Sequence, residues 1–419
     1  MSRRTRTLGA RWIFPVEGEP VRDGLLTIAE GVIASILPGA RGEAETDLGN
    51  SAILPGFVNA HTHLELGPVA AIEAGAEDEV AWLKRVIAQR RDTTPESQRA
   101  TIAKNVADAI VAGTTLLADT ATAGQSWPFL SQAPIRGIVF SEVIGLRRAR
   151  GLQTMNEALA WLAAITPASQ LAGSCLPGLS PHAPYSTAGW IYEKAASMRV
   201  PLSTHLAEMP EELELLETRS GPMRGFLEDL GAWDDGWQPI SPRPSDFIRR
   251  GDLRKADWLI AHGTYLDPEC FWQFRPESAP NGERVAVVFC PRTHARFGHA
   301  PHPYRAILET GGIVCLGTDS LASAPSLCIL DEMRFLHRSD PSLPGDLLLA
   351  MATLFGAWAM RSETVSGSLK PGKSADLAVV ALPDREADDP HTLILDSDRP
   401  VIATMFEGRF VEVLGTASR

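Results

Sequence analysis

The sequence of 419 residues lacks the features that mark membrane proteins and secreted disulfide-rich proteins. No apolar run approaches the roughly 20 residues that a membrane-spanning helix needs. The five cysteines are odd in number and never form a Cys-x-x-Cys pair, which favours reduced thiols over disulfides. The basic opening at residues 2–6 is too short, and the apolar stretch after it too broken by charge, for a signal peptide. We therefore expect a cytoplasmic protein without a membrane partner.

Positive charge is also scarce. The chain carries 39 Lys and Arg against 51 Asp and Glu, whereas a nucleic-acid surface needs clustered basic side chains. No Gly-x-Gly-x-x-Gly follows the first strand of the central region, so the main signal for a dinucleotide site is missing. The remaining composition, 44% hydrophobic and 21% charged, is typical of a globular enzyme and does not name its substrate.

The central part of the chain alternates strand-like apolar segments with helix-like ones. Eight such strands predict an α/β protein with a (β/α)8 TIM-like barrel over residues 55–365. An open doubly wound sheet is the structural alternative. Short strands and Gly and Pro turns dominate both ends, so we expect residues 1–54 and 366–419 to pair into a small β-sandwich domain. Residues 231–254 interrupt the pattern between the fifth and sixth strands and suit either a lid or a surface insertion.

Four of the predicted strands finish on residues that can bind metal or move protons. The first ends on His61 and His63, whose i, i+2 spacing puts both imidazoles on one face of an extended segment. The fifth, sixth and eighth strands end on His205, His262 and Asp319. Because the carboxyl ends of barrel strands meet at one rim, we expect these side chains to lie together. Imidazoles with a carboxylate form a natural site for zinc or iron.

Glu208 follows His205 by three residues and has two interpretations. Beside the metal it would move a proton between water and a substrate nitrogen. As one of the acids that open the next helix, it would only be a charge favoured by the helix dipole. The spacing alone does not choose between these roles.

Five segments carry a resemblance to a known family. They read PGFVNAHTH (55–63), SPHAPY (180–185), THLAE (204–208), AHG (261–263) and GTDS (317–320). Over nearly its full length the chain resembles the amidohydrolase superfamily, in its branch of cytosine deaminase-like nucleoside aminohydrolases. A further segment, GSLKPGKSADL (367–377), resembles the return of that family's chain into its β-sandwich.

The resemblance implies one divalent metal ion, with zinc expected first and iron second. It implies a site made of the metal ligands His61, His63, His205 and Asp319, with His262 beside the reacting water, Glu208 as proton shuttle, Asp319 also relaying the water proton, and His182 against the substrate. Two-metal members of the superfamily usually bridge their ions with a carboxylated lysine after the fourth strand, and residues 179–182 contain no lysine. This departure favours one metal and deamination of an aromatic ring. Family members are often dimers, which leaves a homodimer open for this chain.

Three other segments narrow the range of expected substrates. HLEL (63–66), VAWLKRVI (80–87) and CPRTHARFGH (290–299) look like bacterial aminodeoxyfutalosine deaminases. The resemblance implies conversion of 6-amino-6-deoxyfutalosine to futalosine and ammonia, a step of menaquinone biosynthesis. The alternatives are deaminases of adenosine, S-adenosylhomocysteine, methylthioadenosine or guanine, and triazine-type chlorohydrolases. Ala81 and Thr293-His294 depart from the adenosylhomocysteine and methylthioadenosine enzymes. A non-catalytic scaffold is disfavoured because every expected ligand is present.

The substrate contacts are the least constrained part of the sequence. Glu65 is a candidate for the ribose, because Ala81 stands where related enzymes carry a ribose-binding glutamate. A benzoate carboxylate would favour a two-pronged guanidinium, for which Arg148 is the leading candidate. Its competitors are Arg147, Arg150, Arg292 and Arg296. A loop with His294, His299 and His302 could hold a second metal, but loop histidines more often serve turns and hydrogen bonds.

Overall fold

The structure is a computed structural model that describes residues 5–69, 78–172, 175–250, 253–278 and 282–412. In these ranges the strands are β1 (Thr5–Ile13), β2 (Val21–Ala29), β3 (Val32–Leu37), β4 (Thr46–Asp47), β5 (Ser51–Pro55), β6 (Phe57–Thr62), β7 (Thr114–Thr122), β8 (Arg136–Val143), β9 (Cys175–Pro181), β10 (Leu202–Leu206), β11 (Trp258–His262), β12 (Val285–Phe289), β13 (Val314–Leu316), β14 (Leu377–Ala381), β15 (Val401–Phe406) and β16 (Arg409–Phe410). The helices are α1 (Glu79–Asp92), α2 (Pro95–Val111), α3 (Trp127–Leu130), α4 (Arg148–Ala172), α5 (Gly189–Ala196), α6 (Pro210–Thr218), α7 (Pro222–Asp229), α8 (Pro244–Arg249), α9 (Pro291–Phe297), α10 (Tyr304–Glu309), α11 (Ile329–Ser339), α12 (Gly345–Met351), α13 (Leu354–Ala359) and α14 (Thr392–Leu395).

Strands β6 to β13 form a parallel sheet in which each strand pairs with the next along the chain. A parallel bridge between Thr62 and Asp319 joins the segment after β13 to the end of β6 and closes the ring. Every residue of β6, β10 and β11 is buried, as expected for parallel strands with helices outside and side chains filling the centre. The predicted (β/α)8 barrel is confirmed, and the doubly wound alternative is wrong.

The two ends of the chain combine into one mixed sheet beside the barrel. Its order is β16-β15-β14-β5-β1-β2-β3, with β4 added on β1. The pairing of β14 with β5, where Leu377 lies opposite Pro55, joins the last strands of the chain to the first ones. The prediction that the termini build one small β domain is confirmed, and the proposed boundaries at residues 54/55 and 365/366 stay predictions.

Gly56 lets the chain pass from the terminal sheet to the barrel in a single residue, between the end of β5 and the start of β6. A Cβ at Gly56 would lie 2.0 Å from Thr115 Oγ1, so no larger residue fits there without movement. The Gly56 amide also donates to the Asp376 carbonyl at 2.8 Å, which fixes the crossing point. The strand that carries His61 therefore enters the barrel from an anchored position.

The excursion predicted at residues 231–254 lies beside the mouth of the barrel. Trp233 and Trp237 are buried in an apolar cluster with Phe226 and Leu227 of α7. Residues 251–252 lie outside the described ranges. Movement of this segment as a lid stays a prediction. None of the described helices combines the length and the apolar character that crossing a membrane requires.

Candidate active site

The polar residues at the predicted strand ends meet at the carboxyl end of the barrel. His63 Nε2 lies 3.2 Å from His205 Nε2, and the ligand atoms of His61, His63 and His205 all fall within 4.8 Å of one another. Asp319 Oδ1 lies 3.9 Å from His61 Nε2 and 3.8 Å from His63 Nε2. His262 is adjacent, with its ring centroid 5.4 Å from that of His205. The structure thus brings together all five residues predicted from the strand ends.

The backbone turns sharply where these side chains project. His262 has a φ of 66° and Asp319 a φ of 56°, the left-handed region that residues other than glycine seldom adopt. The Asp319 amide donates to the His61 carbonyl at 3.1 Å, and the Gly263 amide donates to the Leu206 carbonyl at 3.0 Å. These bonds to neighbouring strands hold the strained residues. Such strain in non-glycine residues is common at functional sites.

The three histidines suit a metal ion chemically. His61 Nε2 is buried, and no described residue makes a hydrogen bond to it. Burial lowers the pKa of His61 and His63 well below the ordinary value and that of His205 to about 4, so all three imidazoles are neutral and keep a lone pair. Neutral imidazoles and one carboxylate are the donors that zinc or iron takes in open catalytic sites. The residues present therefore fit the implied ion.

Hydrogen bonds behind the ligands set their orientation. His205 Nδ1 donates to the His182 carbonyl at 3.0 Å, which leaves Nε2 free to face the other imidazoles. Ser323 Oγ donates to Asp319 Oδ2 at 2.6 Å, so Oδ1 is the oxygen that faces the histidines. These two bonds therefore turn His205 Nε2 and Asp319 Oδ1 toward the neighbouring imidazoles.

Glu208 points into the same space and is paired with His262. Its Oε1 lies 3.1 Å from His262 Nε2, and its side chain is 10% exposed. Helix α6 begins only at Pro210, so Glu208 precedes the helix, and Glu211 and Glu212 occupy the first turn. Burial raises the pKa of Glu208 well above its ordinary value, and the nearby Glu79 carboxyl adds to the rise. This placement favours the proton-shuttle interpretation over that of a helix-capping charge.

A polar chain that the sequence did not reveal leads away from Glu208. Glu79, the first residue of α1, has its carboxyl close to that of Glu208 and raises the pKa of Glu208. His299 Nε2 lies 3.3 Å from Glu79 Oε2, and the Tyr265 hydroxyl lies 3.3 Å from His299 Nδ1. His302 Nε2 donates to the His262 carbonyl at 2.7 Å. Two of the three loop histidines considered for a second metal thus serve hydrogen bonds around the site.

A cavity of about 580 Å³ opens from these residues toward the surface. Its apolar wall comes from α1 and from the end of α7, with Trp82 anchored by a 3.0 Å bond from its Nε1 to the Ala322 carbonyl. His182 lines the cavity as predicted, and its Nδ1 lies 2.6 Å from Ser186 Oγ. The volume is within the range of sites for small organic ligands and exceeds what a single purine ring needs.

Two predicted substrate contacts lie elsewhere. Glu65 is not among the described residues that line the cavity, because its carboxylate is taken up by Arg90, Thr122 and Gln125. Arg148 is also absent from the described lining and instead stacks over the Trp190 ring at 5.5 Å. The structure therefore does not bring either side chain to the described lining of the cavity, and both substrate contacts stay predictions.

Of the competing arginines, Arg147 and Arg150 line the cavity, and both are exposed, which places them where the cavity opens to the surface. Arg147 Nε donates to the Trp233 carbonyl at 2.8 Å. Arg292 is bound to Glu332 at 2.7 Å and is not part of the described lining, nor is Arg296.

A sequence model of the amidohydrolase family matches residues 52–411. A 5-methylthioadenosine/S-adenosylhomocysteine deaminase from Pyrococcus furiosus is 26% identical over 420 residues, covering 96% of this chain and 91% of the relative. The aminofutalosine deaminase of Helicobacter pylori, solved with methylthio-coformycin, superimposes with a TM-score of 0.80 at 22% identity, over 97% of this chain and 100% of that chain. An adenosine deaminase from Xanthomonas campestris with bound zinc superimposes with a TM-score of 0.76 at 20% identity, over 96% of this chain and 92% of that chain. At these identities the two solved structures establish a shared fold.

Proposed function

The chain belongs to the amidohydrolase family, and we propose that it is a metal-dependent hydrolytic deaminase of adenine-type nucleosides. One observation carries the proposal: the buried Glu208–His262 pair, at 3.1 Å, stands beside three clustered imidazoles and a carboxylate at the closed end of one cavity. That arrangement combines a proton donor with a site for a Lewis acid. Both are needed to replace a ring amine with oxygen.

His61, His63, His205 and Asp319 would hold one divalent ion, zinc by preference and iron as the alternative. Bound there, the ion would lower the pKa of a coordinated water toward neutrality and stabilise negative charge that develops in the reaction. The donor set and the burial that keeps the imidazoles neutral support this assignment.

The protein's own residues would then manage the protons. Glu208, protonated because burial raises its pKa, donates to the ring nitrogen beside the amine-bearing carbon and makes that carbon more electrophilic. The attacking water would lose one proton to the Asp319 carboxylate. That proton passes to the departing amine and the remaining hydroxyl proton returns to Glu208, so water is consumed and ammonia is released. His262 holds Glu208 in position, and neutral His182 offers Nε2 to the substrate.

The finer substrate we propose is 6-amino-6-deoxyfutalosine, converted to futalosine and ammonia in menaquinone biosynthesis. The fold likeness to the Helicobacter pylori enzyme, over 97% of this chain, supports this choice. Arg147 and Arg150 at the outer end of the cavity supply guanidinium groups for a carboxylate. Methylthioadenosine and S-adenosylhomocysteine are the second candidates, because the Pyrococcus furiosus relative matches 96% of the chain.

The test is ammonia release by the zinc-loaded enzyme, with kcat/KM compared for aminodeoxyfutalosine, adenosine, methylthioadenosine, S-adenosylhomocysteine and guanine. We expect turnover of the adenine nucleosides, with the highest kcat/KM for aminodeoxyfutalosine. A preference for methylthioadenosine or S-adenosylhomocysteine would select the second candidates. Failure on every adenine nucleoside, with metal bound, would refute the substrate class.

Arg150→Ala tests whether Arg150 binds the carboxylate of the proposed substrate. We expect a loss of about tenfold or more in kcat/KM for aminodeoxyfutalosine, because a charge-assisted bond is lost, and little change for adenosine. Arg148→Ala is the matched control, since Arg148 stacks on Trp190 outside the described lining. Equal losses on both substrates in the Arg150 variant would remove the residue from substrate recognition.

A further inference from the structure

Glu142 is a buried carboxylate that faces the cavity without a hydrogen bond. It lies one residue before the end of β8, lines the cavity, and has a side chain only 7% exposed. Its nearest charged or titratable contact is His182, whose Nε2 lies 3.9 Å from Glu142 Oε1, beyond hydrogen-bond distance. Among the described residues none donates a hydrogen bond to this carboxylate. The carboxylate oxygens face the cavity, so hydrogen-bond donors of a bound ligand can reach them.

Charged groups around Glu142 act on its pKa in both directions. Burial raises the pKa of Glu142 and the Glu65 carboxyl adds to the rise, whereas the Arg90 guanidinium opposes it. Arg90 itself is bound to Glu65, so its guanidinium is shared between two acids and does not cap Glu142. A ligand group that donates hydrogen bonds to a carboxylate would therefore suit Glu142.

The position of Glu142 indicates which part of a ligand it meets. Strand β8 pairs with β9, and Glu142 lies opposite Ser180 in that register. The His182 ring, after β9, is centred 4.8 Å from the His205 ring of the metal site. Glu142 therefore lies on the strand next to the one that ends at His182, at the side of the metal site. With a purine ring against His182, a group attached to the ring would lie beside this carboxylate.

We propose that Glu142 accepts hydrogen bonds from the vicinal hydroxyls of the substrate's sugar and thereby selects ribonucleosides. The inference rests on the proposed deamination of adenine-type nucleosides. The two oxygens of a carboxylate accept two parallel O–H donors, and such charge-assisted bonds are short and strong. Acidic side chains recognise ribose hydroxyls in the same way in dinucleotide sites. Glu142 takes the role that the sequence suggested for Glu65, whose oxygens are already occupied.

The arrangement also divides the cavity by charge. Glu142 would repel an anionic substituent placed near the sugar, whereas Arg147 and Arg150 farther out would attract one. A nucleoside whose acidic group projects away from the ribose therefore suits the cavity better than a nucleotide with a 5′-phosphate. The sugar contact and the outer arginines act on different parts of the same ligand.

The test measures kcat/KM for substrates that differ from one another by a single hydroxyl. Each substrate is measured with the wild type, Glu142→Gln and Glu142→Ala. For wild type we expect kcat/KM for adenosine to exceed that for 2′-deoxyadenosine and 3′-deoxyadenosine by about tenfold to a hundredfold. In Glu142→Ala this preference should fall to about one, because adenosine loses the bond that the deoxy substrates already lack. Glu142→Gln, which keeps one acceptor oxygen, should give an intermediate preference. Glu96→Gln, which removes an exposed carboxylate on α2, is the control and should behave as wild type.

Calorimetric binding of inosine and 2′-deoxyinosine makes the same comparison of ligands with and without a hydroxyl. These ligands carry no ring amine to release, so only binding is measured. The same loss of preference is expected, with metal content and thermal unfolding of Glu142→Gln unchanged. An equal loss for all substrates, or a preference that survives in both variants, would overturn the role of Glu142 and leave the deaminase proposal intact. Failure of wild type on every adenine nucleoside would instead overturn the deaminase proposal on which this inference rests.

Discussion

Burial controls the protonation of the side chains at the closed end of the cavity. It lowers the pKa of the clustered histidines, with His182 and His205 at about 4, and raises that of Asp319 to about 7. The low pKa values favour neutral imidazoles, and burial favours the protonated form of Glu208. Both protonation states suit the proposed metal site and proton shuttle.

The clustering of the proposed metal ligands was predictable from the strand ends, because parallel strands bring their carboxyl ends to one rim. Contacts from residues distant in sequence explain what the sequence did not show. Arg90, on α1, occupies Glu65, and the turn of α4 directs Arg148 to Trp190. Glu142 could have been found by the strand-end rule, since it lies near the end of the apolar strand β8.

Glu208→Gln tests the proton shuttle. The amide is nearly isosteric and keeps a hydrogen bond with His262, but it cannot donate and recover a proton. We expect kcat to fall by about a hundredfold to ten-thousandfold with the metal content unchanged. Steady-state kinetics and metal analysis check both. Glu217→Gln, on the exposed side of α6, is the control, and near-normal turnover by the Glu208 variant would contradict the mechanism.

Glu79→Gln tests the electrostatic support of Glu208. The groups that face Glu208 and act on its pKa are Glu79, Asp319 and Glu212, which raise it, with His262 paired at 3.1 Å. Removing the Glu79 charge should lower the pKa of Glu208. In the proposed mechanism Glu208 acts in its protonated form, so activity should then decline at a lower pH than in wild type. The pH profile of kcat is the measurement, and an unshifted alkaline limb would exclude this role.

The elements of the fold were predictable where the hydrophobic pattern is strong. All eight barrel strands and both β-rich ends followed from alternating apolar segments and turn residues. The crossing at Gly56 did not, because β5 and β6 read as one apolar run in the sequence although they belong to different sheets. Only the contact with Thr115 shows why the chain needs glycine there.

Gly56→Ala should disturb this crossing and the strand that follows it. A Cβ placed 2.0 Å from Thr115 Oγ1 forces the two strands apart, and such overpacking costs about 1–3 kcal/mol or more. We expect a lower thermal midpoint and weaker metal binding, since β6 carries His61. Gly225→Ala in α7 is the control, because nothing lies within 4 Å of its added Cβ. Equal midpoints in the two variants would show that the crossing tolerates a side chain.

On the scale of the whole molecule, the barrel and the terminal sheet are joined by polar contacts that no local pattern encodes. Arg136 at the start of β8 lies 3.1 Å from Asp376 and 3.0 Å from Glu407, both beside the terminal sheet. At the opposite end of the barrel strands, the proposed ligands come from β6, β10 and the segment after β13. The ion would therefore link the first and last barrel strands, where a single bridge between Thr62 and Asp319 closes the ring.

Metal removal should consequently weaken the whole fold as well as abolish activity. An ion that binds only the folded chain adds about 2.7 kcal/mol when its concentration is 100 times Kd. We expect chelation to lower the thermal midpoint and zinc to restore it, in wild type and equally in Glu208→Gln, which keeps every ligand. Asp319→Ala should show a much smaller response, because it lacks the ligand that lies at the closure of the ring. Calorimetric unfolding with and without zinc measures this directly, and an identical midpoint for the chelated and zinc-loaded wild type would show that the ion does not fasten the barrel.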